Sequence, residues 1–148
     1  MKIIQLMAKN NDYRLVIDPN IYLSYLIGKK LAALDRIFED DSFELMIAEN
    51  LITELKLKIT HPKFKKYFDS KTALWFVDFL VQRCQMVNIE SVVTVCRDAK
   101  DNYLLALAKD SNANFLVTGD EDLLVLSKFG DTQILRFKDF IDNHNSKL

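Results

Sequence analysis

Short apolar runs alternate with stretches of helical period along this chain, and several of the runs stop at an acid. Arg14–Leu15–Val16–Ile17 reads as a buried strand ending in Asp18–Pro19–Asn20. Pro19 cannot donate to a strand ladder and fixes a turn into a helix, so Asp18 is expected at the strand's C-terminal end. Helical stretches follow through Ile21–Ile27 and, after Gly28, Lys29–Glu39, where Leu31, Leu34, Ile37 and Phe38 recur at three- and four-residue spacing. Phe43–Ile47 is a second strand candidate. Glu49–Ile59 reads as a helix with Leu51, Leu55 and Ile59 on one stripe and Glu54 just beside it. Ser70 reads as the N-cap of a long helix through Cys84, and Met86–Ile89 with Val92–Val95 as a further extended segment.

The stretch from Cys96 to Leu126 is the densest in polar signals. Asp101 and Asn102 resemble a helix N-terminus, because both residue types satisfy free backbone N–H groups and good helix formers follow over Leu104–Lys109. That helix is expected to stop around Ser111–Asn114. Phe115–Thr118 is a compact β-prone run, and Gly119 is expected to turn the chain so that Asp120 projects from the strand end. A short helix to Lys128, a turn at Gly130–Asp131, a strand at Gln133–Leu135 and a helix over Lys138–Asn143 complete the pattern. Met1–Asp12 reads either as an edge strand or as a loosely held arm. Alternation of this kind predicts a mainly parallel sheet with helices on both faces.

An apolar share of 49% over 148 residues argues against disorder and for one domain spanning 1–148. Only three Gly and two Pro leave no room for a flexible linker. No apolar stretch approaches the length of a membrane span and no signal-peptide pattern opens the chain, so the expected location is cytoplasmic. Cys84 and Cys96 lack metal-ligand spacing, which argues against a zinc site or a disulfide framework and for reduced thiols. A net charge of −1 excludes a bulk polycation and leaves a local basic patch open.

Such a patch exists between Lys56 and Lys66, where Lys56, Lys58, Lys63, Lys65 and Lys66 are interleaved with His61 and Phe64 and followed by Tyr67 and Phe68. Lysines on phosphates with an aromatic under a base would make a nucleic-acid contact; a solvated helix and loop reads equally well. The helix from Ser70 to Cys84 is apolar nearly all round, with Leu74, Trp75, Phe76, Val77, Phe79, Leu80 and Val81. It packs into a core or forms a dimer or partner interface.

In open parallel sheets ligands gather at the carboxyl ends of the strands, where Asp18 and Asp120 are expected. Right-handed crossovers bring Glu54 and Asp101 over the same edge. Two carboxylates about 4 Å apart repel by roughly 4 kcal/mol at an effective dielectric near 20, so four of them need protons or cations. Hard oxygen ligands without Cys or His select Mg²⁺ or Mn²⁺, and such ions suit phosphodiester hydrolysis. Read as ordinary cap and turn residues, Asp98, Asp101, Asp120 and Asp122 would instead need no ligand.

Asp18 with Asn20 after the first strand, Glu54 on the helix after the second, Asp101 opening a Leu/Ala helix and Thr118–Gly119–Asp120 after the next strand together resemble the PIN domain family, in particular bacterial toxin-type, VapC-like PIN nucleases. The resemblance runs from Arg14 to Asn143. It implies a three-layer α/β/α fold with a central mainly parallel sheet, Mg²⁺- or Mn²⁺-dependent endoribonuclease activity, frequent homodimerisation and inhibition by a small antitoxin protein. Carried over residue by residue, it makes Asp18, Glu54, Asp101 and Asp120 the metal-binding acids, with Asn20 and Thr118 orienting them and Asp122 as an auxiliary ligand. Asp98 is the alternative to Asp101. Pro19 departs from the family's small hydroxyl residue and removes a hydroxyl and an N–H beside the site. A PIN-like module that binds RNA or protein with little catalysis is the competing reading. A receiver-like phosphoacceptor domain lacks its acid pair and later Lys here, and a HAD-type phosphatase would want an Asp where Asn20 stands.

Overall fold

The structure, a computed structural model, describes residues 13–28 and 32–144. The expectations for Met1–Asp12 and for the start of the second helix at Lys29–Leu31 lie outside the described residues. In chain order the elements are β1 (Tyr13–Ile17), α1 (Pro19–Leu26), α2 (Ala32–Glu39), β2 (Phe43–Ile47), α3 (Glu49–Ile59), a 3₁₀ turn (Pro62–Phe64), α4 (Ser70–Arg83), β3 (Gln85–Met86), α5 (Ala99–Asp110), β4 (Phe115–Val117), α6 (Glu121–Leu124), β5 (Lys128–Phe129), β6 (Thr132–Leu135) and α7 (Phe137–Asn143). The strands form one sheet in the order β3-β2-β1-β4-β6-β5. Among the described residues every pairing is parallel except the β5–β6 hairpin at one edge.

Consecutive residues of β1 are buried, Leu15, Val16 and Ile17, as are Leu45, Met46 and Ile47 of β2. Successive strand residues point to opposite faces, so unbroken burial means that both faces are covered, and the expected three-layer α/β/α arrangement follows. On one side Phe140 and His144 pack edge-on or stacked with Tyr13, Phe43 and Phe115. Elsewhere Tyr22, Tyr25, Phe38, Phe76 and Phe79 join α1, α2 and α4. Each fully buried large side chain contributes roughly 1.5–3 kcal/mol of transfer free energy.

Several local expectations are corrected. Helix α5 starts three residues before Asn102, because Asp98 in extended conformation caps it by accepting the Lys100 N–H at 2.9 Å. Asp69, not Ser70, caps α4, with its carboxylate accepting from the Thr72 N–H at 2.7 Å. Of the extended segment after α4 only Gln85–Met86 pairs as a strand, and Val92 and Val95 are exposed. The short helix after Asp122 ends at Leu124, and Lys128–Phe129 turns back as β5. Helix α4 is apolar all round in sequence but buries Ala73, Phe76, Val77 and Leu80 only, leaving Leu74, Trp75 and Val81 exposed. Both cysteines are free, and burial pushes the Cys84 thiol up to about 12. Among the described residues no helix is long and apolar enough to cross a membrane.

Candidate metal centre and adjoining groove

Strand order reverses beside β1: the chain leaves β1 for β2 on one side and returns through α5 to β4 on the other. Crevices form at the carboxyl edge where such a reversal occurs. Ile17 lies opposite Val117 in the parallel ladder, so the residues that follow each strand, Asp18 and Thr118, emerge side by side. Thr118 is fully buried and its hydroxyl donates to Asp18 Oδ2 at 2.8 Å. The same hydroxyl oxygen accepts the Asp120 N–H at 3.0 Å. One side chain thereby fixes two acids.

Asp18 also caps α1, with Oδ1 accepting the Asn20 N–H at 2.8 Å. Burial pushes its carboxyl above the ordinary value, the hydrogen bonds from Asn20 and Thr118 oppose this, and the charges of Glu54 and Lys58 act in opposite directions. Asp120 caps α6 by accepting the Asp122 N–H at 2.9 Å. The sharp placement of Asp120 was expected to need Gly119. It does not: Gly119 is outside the left-handed region, and a Cβ there would meet nothing within 4 Å. The Thr118 hydroxyl sets the turn instead.

Because α5 begins at Ala99, Asp101 stands in its first turn and is buried, whereas Asp98 remains exposed at the cap. Carboxylate oxygens of Asp101, Asp120 and Asp122 all lie within 4.8 Å of one another. Burial first, then the hydrogen bond and charge of Asp120 and the charges of Asp98 and Asp18, push the Asp101 carboxyl up to about 7. Asp122 is exposed and pairs with Arg97 at 3.4 Å.

Glu54 is not in that cluster. Its Oε1 accepts the Tyr103 hydroxyl at 2.9 Å and its Oε2 accepts Lys58 Nζ at 2.7 Å. Lys58 Nζ also donates to Asn20 Oδ1 at 2.6 Å, so Asn20 touches the site through its backbone on one side and its amide on the other. Burial and then Glu54 push the Tyr103 hydroxyl far above its usual value, which keeps it a proton donor. The carboxyl edge therefore holds two groups, Asp101 with Asp120 and Asp122 and Glu54 with Lys58 and Tyr103, and Asp18 interacts electrostatically with both.

Beside Glu54 opens a groove of about 830 Å³, lined among others by Asn20, Lys58, Lys63, Phe64, Lys100 and Tyr103. Lys63 stands 5.1 Å from the centroid of Phe64, and Lys66 stands 5.1 Å from that of Tyr67. Lys56, Lys65 and Lys66 are exposed and lie outside the groove lining. Tyr103 and Arg97 carried no site reading in the sequence, and Lys58 was read only as one of the patch lysines, not as a partner of Glu54. Only Lys58 left a signal there, its spacing of four from Glu54 on a helix.

A purely carboxylate donor set without His or Cys suits a small hard cation, and a buried acid held near neutrality is the mark of a cluster that lacks positive charge. No curated protein matches the chain. Residues 14–122, which hold β1 from Arg14 onward, the crossover to β4 and every one of these acids, match the family model described as PIN domain. PIN domains are generally nucleases, and on this match the chain belongs to the PIN domain family.

Proposed function

We propose that the protein is a Mg²⁺- or Mn²⁺-dependent endoribonuclease that hydrolyses RNA phosphodiester bonds. The observation that carries the reading is the close approach of Asp101, Asp120 and Asp122 beside the Thr118-tethered Asp18. In it, Asp18, Asp101 and Asp120 are the metal-binding acids, Asn20 and Thr118 orient them, Asp122 assists, and Glu54, expected from the resemblance to bind metal as well, holds Lys58 and Tyr103 beside them. When bound, a divalent ion supplies a more acidic water and neutralises charge on the leaving oxygen. Thr118 holds Asp18 and Asp120 in one relation, Tyr103 and Lys58 fix both oxygens of Glu54, and the groove takes the RNA strand with Lys63 on its wall. Lys56, Lys65 and Lys66 extend that contact outside the groove.

The reading extends to residues 1–148 as one domain and to a cytoplasmic toxin that acts as a homodimer and is held in check by an antitoxin protein. Its support is the likeness to toxin-type PIN nucleases and the exposed apolar side chains Leu74, Trp75 and Val81 on α4. Induced expression should arrest growth, and Asp18→Asn should relieve the arrest.

The enzymatic core of the reading is tested with purified protein and single-stranded RNA in Mn²⁺, in Mg²⁺ and in EDTA. Cleavage is expected only with metal, and Asp18→Asn and Asp120→Asn should remove it. Cleavage that survives EDTA or Asp18→Asn refutes the reading. RNA binding without cleavage, unaltered by Asp18→Asn, would support a PIN-like binding module instead.

A further inference from the structure

The two sides of the carboxyl edge differ in how their negative charge is answered. Asp101, Asp120 and Asp122 face one another, and the one cation paired with them among the described residues is Arg97, whose side chain is 90% exposed. Glu54 already holds a cation. Lys58 Nζ lies 2.7 Å from Glu54 Oε2 and 2.6 Å from Asn20 Oδ1, and its charge also acts on Asp18. We infer that the site takes a single divalent ion, on the Asp101–Asp120–Asp122 side, and that Lys58 is a built-in second cation filling the Glu54 side.

The inference rests on the metal-binding reading above and deepens it. Three features argue for it. Each Glu54 oxygen already accepts a donor, and an ion approaching Glu54 meets the positive charge of an ammonium that is in hydrogen-bond contact with two oxygens. The ammonium is held from two elements: Glu54 and Lys58 stand four apart on α3, while Asn20 is held in the first turn of α1 by the Asp18 cap. The pair is also partly withdrawn from water, with side-chain exposures of 33% for Lys58 and 21% for Glu54, which strengthens it relative to a fully solvated pair. An ammonium carries three N–H donors and two are used here. Among the described residues the third meets no partner, and it can reach a phosphate oxygen in the groove that Lys58 lines.

The test is the number of Mn²⁺ ions bound at saturation, read from the free-ion signal in electron paramagnetic resonance titrations. Wild-type protein should bind one ion. Lys58→Met, which frees Glu54, should bind two, and Lys58→Arg, which keeps the charge, should bind one. Glu54→Gln should leave the count at one, since Glu54 does not hold the ion. A melting curve for each variant establishes that it is folded. Two ions on wild type, or one on folded Lys58→Met, overturns the inference while the metal reading stands. No ion on wild type removes the metal reading and the inference with it.

Discussion

Asp120→Asn should make the metal-free protein more stable while removing its response to metal. Carboxylate oxygens of Asp101, Asp120 and Asp122 lie within 4.8 Å of one another. At that separation two unit charges repel by about 3.5 kcal/mol at an effective dielectric of 20. Asp122 is solvated and paired with Arg97, and Asp101 is partly protonated near neutral pH, so the relief at pH 8 is about 1–2 kcal/mol. For a domain of this size that corresponds to a rise in melting temperature of about 2–8 °C. Asparagine keeps an Oδ1 for the Asp122 N–H, so the change removes charge and leaves the cap.

The pH dependence has a definite sign. Asp101 titrates in the folded protein at about 7, above its unfolded value of about 3.9. Between these two values the folded state holds a proton that the unfolded chain has released. Metal-free stability therefore falls as pH rises from about 4 through about 7, and the gain from Asp120→Asn shrinks toward pH 5. Thermal melts in EDTA at pH 5 and pH 8, repeated with Mn²⁺, read all of this. A variant no more stable than wild type in EDTA at pH 8 refutes the account of the cluster, whatever happens to activity.

Thr118→Val removes a fully buried hydroxyl that serves Asp18 and Asp120 at once, so it should cost about 1–3 kcal/mol in urea melts; a loss below about 0.5 kcal/mol contradicts the tether. Gly119→Ala should leave the fold intact and stabilise it by up to about 1 kcal/mol, because the position demands neither positive φ nor space; strong destabilisation would return the turn to the glycine. Lys63→Ala should weaken RNA binding and lower its salt slope by about 1, with Lys56→Ala having the smaller effect; equal effects would mean that the groove is not the RNA path.

What could be read from the sequence was what repeats or terminates locally. Leu15–Val16–Ile17 and Leu45–Met46–Ile47 announce doubly covered strands because they lack polar alternation, and Asp18 and Asp120 are legible as strand-end acids. The start of α5 was misplaced because Asp98 and Asp101 are equally good cap residues, and the Leu/Ala run marks the middle of the helix, not its first turn. That shift of one turn puts Asp101 inside and Asp98 outside. β5 escaped notice since two residues carry no period and pair through their backbone. The partners of Glu54 were hidden for a different reason: Asn20–Lys58 and Glu54–Tyr103 contacts span 38 and 49 residues and depend on how the helices pack. No local pattern encodes such a distance.

The hydrogen bond between Thr118 and Asp18 joins residues 100 apart in the chain. During synthesis β1 emerges early, but its neighbour β4 and the acid after it exist only once residue 120 has left the ribosome. Until then a nascent chain carries its first acid without the partners that position it. Under the proposed nuclease function, the chain is harmless to the ribosome and message that make it until residue 120 has emerged. A chain truncated before Phe115 should accordingly neither bind Mn²⁺ nor cleave RNA, and activity in such a fragment would break the link between strand pairing and site assembly.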